Sequence, residues 1–471
     1  MTRMMTLFDA LSDLIARADP EVVRAELPGL FTPANLGREP MARRIGAFMD
    51  WRKRGGFELV NRLSEEAGQL DLEIRYPVNG DHWRLRLIAD PHDPDRIDEM
   101  LMGRAPMPVM TPMKTGIDDR LIAGEFLEYV EHLGQHDLFS GAVLIARHGQ
   151  VLGTTATGLA SREYNVRNTT DTLFNVASLT KSWTATAAAI LIEQDKMALT
   201  TPIAELVTLD GVTLDPKIQI RHLMSHTSGL GDYFGPGFDA KPKDQIREIE
   251  DFLALASSFD PKFDPGTRWS YSNIGMMLLG KAVARVSGLP YHDAIAALVL
   301  EPAEMNTAFF PHLDEVNRGC ASGYGQRWTD EGPVAINALH SWAVRGAPDG
   351  CAFASLDDIW RFAESFRSGR LVSSDMAALM MSAKSELGAR DYGYGFAVMP
   401  EGAIVGHSGG LIGASANLDM VNDPDGWTVI VLANDLSMRT PVIKARQLIG
   451  VTVQERDDAQ TNMPRAGLTA R

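Results

Sequence analysis

Cysteine is nearly absent from this chain: there are two in 471 residues, Cys320 and Cys351. Two are no disulfide framework, and no C-x-x-C is present to hold a metal or run thiol redox chemistry. Both read as small, partly buried apolar residues. Long apolar runs are absent too; no stretch approaches the roughly 18 residues that a membrane-spanning helix needs. The first residues, MTRMMTLFDALSDLIARADPEVV, carry Asp9, Asp13 and Glu21 and have no unbroken apolar core and no small-residue cleavage site. They read as an amphipathic helix and not as a secretory signal, so a cytoplasmic protein is expected; a chain relieved of a leader would look the same. Basic residues are outnumbered, 45 Lys and Arg against 61 Asp and Glu, for a formal charge of −16. That balance argues against nucleic acid or an anionic membrane as partner, since both select clustered cations. There is no G-x-x-x-x-G-K-[ST] phosphate loop and no H-E-x-x-H, so neither a cofactor nor a metal is implied. The 22 methionines are scattered and read as core filler.

What is present divides the chain. Residues 1–103 read as a small α+β unit. Helical patterns near 6–18 and 41–54 are followed by two strand-like runs, GFELVNRLSEEAGQLDLEIRYP and DHWRLRLIAD, with Val78-Asn79-Gly80-Asp81 between them. Asn-Gly between alternating segments is a strong hairpin signal. The order is similar to cystatin-like or nuclear-transport-factor-like accessory domains. It holds no catalytic constellation, and its expected roles are packing, covering a cleft or forming a homo-oligomer. Residues 104–118, with three prolines, read as a linker, and 451–471 as a polar tail.

Residues 119–450 read as one unit. Near its start, two apolar runs flank His148-Gly149-Gln150; near its end, two more flank Pro424-Asp425-Gly426. Strands at both ends with helical sequence between them imply one antiparallel sheet and a helical insertion. The loops 231–262 and 322–347 are expected to line a cleft.

Three elements carry chemistry. In FNVASLTKSWTATAAAILIEQ, Ser178 precedes an alanine-rich helical pattern and Lys181 follows three residues later. At that spacing both side chains lie on one face of the first turn. A serine hydroxyl is a weak nucleophile until a base takes its proton, and burial disfavours a lysine's charged form, which suits it to that task. Main-chain N–H groups at the helix start favour a developing oxyanion. The bland alternative is a serine cap beside a solvated lysine. Next, Tyr271-Ser272-Asn273 precedes an apolar helix. A tyrosine beside a lysine can shuttle protons, and Asn273 offers a donor and an acceptor; the alternative is a packed tyrosine in a helix-start loop. Third, Gly406-His407-Ser408-Gly409-Gly410 fits the G-x-S-x-G nucleophile elbow. An elbow needs a helix after the serine and a histidine later in the chain. No histidine follows His407, and strand alternation follows Ser408, so Ser408 is not read as a nucleophile. The segment reads as an edge strand whose glycines let a backbone pass close to a ligand. His222 and His226 are spaced i, i+4, but Ser228-Gly229 end any helix there, so the pair reads as structural.

S-x-x-K, then Y-x-N, then a basic residue with x-G on a strand, in that order, resembles the serine β-lactamase and penicillin-binding-protein superfamily. LMSHTSGLGDY, GCAFASLDDIWRF and YGYGFAV are similar to its recurrent segments. The resemblance implies an α+β, β-lactamase-like fold: an antiparallel sheet flanked by helices with a helical subdomain, here with a small N-terminal α+β domain. It implies Ser178 as acylated nucleophile, Lys181 as the partner easing its deprotonation, and Tyr271 as general base. Asn273 would support lysine and substrate, and the main-chain N–H groups of Ser178 and Gly410 would form the oxyanion hole. His407, Ser408 and Gly409 would form the substrate-facing wall. His407 stands where β-lactamases usually keep lysine, which makes the chain most similar to the family VIII carboxylesterases. The implied substrate is a small ester, with a D-amino-acid peptide or amide, or a β-lactam, as rivals. A module that stays acylated as a sensor is the rival of another class.

Overall fold

The computed structural model describes residues 2–104, 118–399, 402–422 and 426–450. Most of the expected linker (105–117), the expected tail (451–471) and Pro424-Asp425 of the second turn lie outside the described residues.

The chain opens with helices α1 (Arg3–Ala16), α2 (Pro20–Leu30) and α3 (Met41–Lys53). Thr2 starts α1 by accepting a hydrogen bond from the Met5 N–H, and Asp19 caps α2 in the same way. The buried residues of α1, Met4, Leu7, Phe8, Leu11, Leu14 and Ile15, recur at three and four and so form one stripe. That stripe packs on an antiparallel sheet of β1 (Glu58–Glu66), β2 (Gln69–Arg75), β3 (His82–Ala89) and β4 (Ile97–Arg104), in that spatial order. Leu70, Leu72 and Ile74 point into this core, while Asp71 on the opposite face is taken by Arg84 and Arg86. Where the sequence shows one long run, the structure has two strands, β1 and β2, joined through Gly68 at φ +79°.

Helix α4 (Asp119–Gln135) leads into β5 (Gly141–Arg147) and β6 (Gln150–Thr157). The middle of the chain supplies α5 (Thr180–Glu193), α6 (Asn273–Ser287), a hairpin of β7 (Tyr324–Thr329) and β8 (Gly332–Asn337), and α7 (Leu356–Arg367). Strands β9 (Ala397–Val398), β10 (Ile404–Leu411), β11 (Ala414–Val421) and β12 (Trp427–Ala433) come next, and then α8 (Arg439–Leu448). The main sheet is antiparallel in the order β9-β10-β11-β12-β5-β6, so the two ends of the chain segment meet at β12 and β5. Both faces are covered. Val143, Ile145, Val429 and Val431 pack against α4 and α8, whereas Ala142, Leu144, Leu418 and Ile430 pack toward α5 and the helical insertion. This double burial is why β12 reads as a nearly continuous apolar run, while β11, equally buried, alternates with Ser415, Asn417 and Asp419. The fold is thus the α+β arrangement the resemblance implies.

Helix α5 is buried from Thr180 to Leu191 with no face left exposed. Its alanines let neighbouring elements approach closely on every side. The N-terminal unit touches the rest through α3, where the Trp328 ring of β7 covers Gly46; a Cβ there would meet the ring at 1.9 Å. Lys53 donates to the Asp137 carbonyl at 2.6 Å, and the Tyr129 hydroxyl donates to the Asn79 carbonyl at 2.5 Å. Among the described residues no helix is long and apolar enough to cross a membrane.

Candidate active site

Ser178 sits in a 3₁₀ turn, Ala177–Leu179, that runs directly into α5. The turn is bent against ordinary preference: Ala177 has φ +47°. Its N–H donates to Asn175 Oδ1 at 2.9 Å, and its carbonyl accepts from the Cys351 N–H at 3.1 Å. Fixing a non-glycine residue in this region takes surrounding contacts on both sides, which these bonds supply.

One turn on, Lys181 is fully buried. Its Nζ donates to Ser178 Oγ at 3.0 Å and also to the main-chain carbonyl of Asp349. It lies 4.9 Å from the centroid of the Tyr271 ring. The serine hydroxyl and the lysine amine are thus hydrogen-bonded, and the lysine lies over the face of the tyrosine ring. That set can move the proton of a serine hydroxyl and bind the charge that develops on it. Asp349 is buried as well, and its carboxylate accepts from the Tyr233 hydroxyl at 2.6 Å. Burial raises the Asp349 carboxyl above its ordinary range, while the nearby Lys181 charge pulls it back.

Tyr271 and Asn273 bracket the start of α6, whose first turn is capped by Ser272 Oγ accepting from the Gly275 N–H at 2.9 Å. Asn273 is expected beside the lysine, but its amide donates to Asp232 at 2.7 Å. The hydrogen-bond partners found for Lys181 are Ser178 and Asp349, so the lysine is held by a main-chain carbonyl where the sequence suggested a side-chain amide.

The opposite wall is β10. Strand β9 pairs with it only at Val405 and Gly406, so among the described residues no strand covers its outer edge from His407 to Leu411. Gly409 lies against the nucleophile turn. Ser408 is exposed on this wall, and the next element in the chain is strand β11, not the helix that an elbow needs.

His407 is buried. Its Nδ1 lies 2.6 Å from the Ser408 carbonyl and its Nε2 3.0 Å from the Tyr392 hydroxyl. A carbonyl only accepts, so Nδ1 carries the proton and Nε2 accepts from Tyr392. Burial, helped by the Lys181 charge, holds the ring's pKa down to about 3. The imidazole is therefore neutral at neutral pH, and both nitrogens are used inside the protein.

The cleft between these walls measures about 770 Å³. Besides Ser178, Tyr271 and residues 407–410, it is lined by Trp269, Arg390, Tyr392, Leu436 and Met438 among others. The loops 231–262 and 322–347, expected to line it, contribute none of the lining residues; segments 388–392 and 436–439 take that place. Sequence reading reached Tyr392 only as the first residue of YGYGFAV, and nothing local marked Trp269, Arg390 or Asp349.

A family model described as Beta-lactamase matches residues 126–454. Esterase EstB of Burkholderia gladioli is 30% identical over 345 residues, covering 64% of this chain and 87% of that protein. Penicillin-binding protein 4* of Bacillus subtilis is 29% identical over 342 residues, covering 68% and 74%. Among solved structures, a penicillin binding protein from Bacillus halodurans superposes with a TM-score of 0.61 at 26% identity, over 67% of this chain and 98% of that one.

Proposed function

We propose, from the fact that this chain belongs to the beta-lactamase family of serine hydrolases, that it is a carboxylesterase acting on small neutral esters through an acyl-enzyme on Ser178. The observation that supports an ester over a lactam or peptide is His407. A carboxylate-bearing substrate calls for a fixed cation at this strand position. The neutral ring, consumed by Ser408 and Tyr392, offers neither charge nor a free donor. Trp269, Tyr392, Leu436 and Met438 give the cleft apolar surface suited to a short acyl or alcohol group.

In this reading Ser178 Oγ attacks the ester carbonyl. Its proton passes to Tyr271, assisted by Lys181, and on to the departing alkoxide, which leaves as an alcohol. Water then adds to the acyl-enzyme, gives its proton to Tyr271, and releases the carboxylic acid while Ser178 recovers its hydrogen. The oxyanion in both steps is received by the N–H groups of Ser178 and Gly410, the latter on the uncovered edge of β10. Asn273, bound to Asp232, acts by fixing the start of α6. Among the described residues none of the first hundred lines the cleft, and they serve as an accessory unit packed on the β7–β8 hairpin.

Arg390 favours a second reading. It is exposed and lines the cleft, and a guanidinium there suits a carboxylate such as that of a β-lactam or a peptide end. Steady-state rates on p-nitrophenyl esters, D-amino-acid amides and nitrocefin separate the two. The ester reading expects kcat/KM for the best short ester to exceed that for nitrocefin by at least about a hundredfold. A higher kcat/KM on amide or nitrocefin overturns it.

A further inference from the structure

We propose that His226 is a positioning residue that sets the place of Tyr271, and that this, not filling of the core, is what the histidine of LMSHTSGLGDY does. The proposal rests on the reading of Tyr271 as the proton carrier. His226 holds the residues on both sides of that tyrosine and the tyrosine itself. Its main-chain carbonyl accepts from the Ser270 N–H at 2.8 Å. Its Nδ1 accepts from the Ser272 N–H at 3.2 Å. Its ring lies 4.3 Å from the Tyr271 ring, inclined by 34°. The imidazole also meets the ring of Tyr392 at 4.8 Å, the same tyrosine that bonds His407. One side chain therefore ties the Tyr271 segment to the β10 wall of the cleft.

The surrounding turn acts in the same direction. The Thr227 carbonyl accepts from the Gly266 N–H at 2.8 Å and the Gly229 carbonyl from the Lys262 N–H at 2.9 Å. Ser272 Oγ donates to the Gly231 carbonyl at 2.7 Å. Residues 226–231 thus form a template along which 262–272 is laid, and Tyr271 comes off it beside Lys181.

The chemistry of the position argues against a passive filler. His226 has φ +56°, a region where histidine is among the better tolerated side chains. Since Nδ1 accepts an N–H, the ring proton is on Nε2, and that atom is buried without a hydrogen-bond partner among the described residues. Buried donors are ordinarily paired, and an aliphatic or phenyl side chain would avoid this orphan. Only a ring with an acceptor at the δ position both stacks on Tyr271 and holds its neighbour's amide. His222 does not share the role: its Nδ1 accepts from the Gln219 N–H within its own helical turn.

Two variants separate the contributions. His226→Phe keeps the stack and removes the acceptor; His226→Asn tolerates the backbone conformation and removes the stack. Each is expected to lower kcat on a short p-nitrophenyl ester by about tenfold to a hundredfold, with KM within about threefold of the parent. In a Tyr271→Phe background, neither is expected to slow fluorophosphonate acylation of Ser178 by more than about twofold further. If Tyr271→Phe itself keeps parental kcat, the reading of Tyr271 fails. If Tyr271→Phe is inactive while the folded His226 variants keep parental kcat, or if their losses are fully additive with it, the positioning proposal is overturned and the reading of Tyr271 stands. Should neither variant fold, amide exchange in the parent decides. A protected Ser272 N–H supports the clamp, and free exchange of that amide overturns it.

Discussion

Gly409 and Ser178 touch through their backbones. A Cβ placed on residue 409 would come within 2.5 Å of the Ser178 nitrogen and 2.8 Å of both the Val176 carbonyl oxygen and the Ala177 Cβ. These neighbours belong to a strained and bonded turn and have no side-chain freedom with which to retreat. Gly409→Ala is therefore expected to push β10 and the Ser178 turn apart. Esterase kcat/KM should fall by at least about a hundredfold, since ångström-scale misplacement is enough for such a loss. Kinetics on a short ester together with a circular-dichroism check of the fold tests this; parental kcat/KM in the variant contradicts the contact.

Two of the serines lining the cleft, Ser178 and Ser408, have different surroundings. Ser178 accepts from a buried lysine, while Ser408 is exposed on a strand. Ser178→Ala is expected to reduce kcat by at least about a thousandfold, and Ser408→Ala to leave kcat within about tenfold of the parent. Side-by-side turnover of the two variants is the check, and the reverse ranking sinks the assignment.

How much of this was legible beforehand depends on whether the signal is local. The Ser178–Lys181 spacing lies within one helical turn, and the alanine-rich pattern after it marks α5 without help from the fold. The β5–β6 hairpin shows the same locality, with its turn at His148 and Gly149. The boundary between β1 and β2 is not legible in the sequence because β1 is exposed along nearly its whole length. With neither face buried, alternation carries no information and Gly68 is the only mark. The cleft lining is not legible in the sequence for a different reason. Residues 388–392 lead into β9, which pairs with β10, and residues 436–439 follow β12, two strands from β10, relations set by strand order and not by spacing. Asn273 shows the limit of motif reading: its chemistry suits a lysine partner, but Asp232 arrives from a distant loop and takes the amide.

The buried histidines make stability depend on pH. His407 is held down to about 3, and His222 and His292 to about 4, mainly by burial, from an ordinary 6.5. Between the folded and the ordinary values the unfolded chain binds protons that the native state refuses. This contribution to stability is therefore full above about pH 6.5 and is lost as pH falls toward the folded values. Replacing His407 by Gln is expected to shrink the drop in unfolding free energy between about pH 7 and about pH 5, by at most about 1.4 kcal/mol per pH unit. Urea titrations at the two pH values measure it, and an unchanged drop contradicts a neutral His407.

Trp328 covering Gly46 joins the N-terminal unit to the β7–β8 hairpin. Gly46→Val cannot be accommodated under the ring and is expected to undock α3, while Trp328→Ala leaves a gap at the same place. Both should raise the rate of limited proteolysis near the junction of the units. Ester turnover should stay within about threefold, because among the described residues none of the N-terminal unit lines the cleft. Unchanged proteolysis in Gly46→Val contradicts the contact; a large loss of turnover contradicts the separation of this unit from the chemistry.

The central claim, that Ser178 is the residue acylated, is tested most directly by treating the intact protein with a fluorophosphonate and mapping the adduct by mass spectrometry. The account predicts a single stoichiometric adduct on Ser178 and none on the Ser178→Ala variant. An adduct on Ser408, or labelling that survives Ser178→Ala, contradicts it.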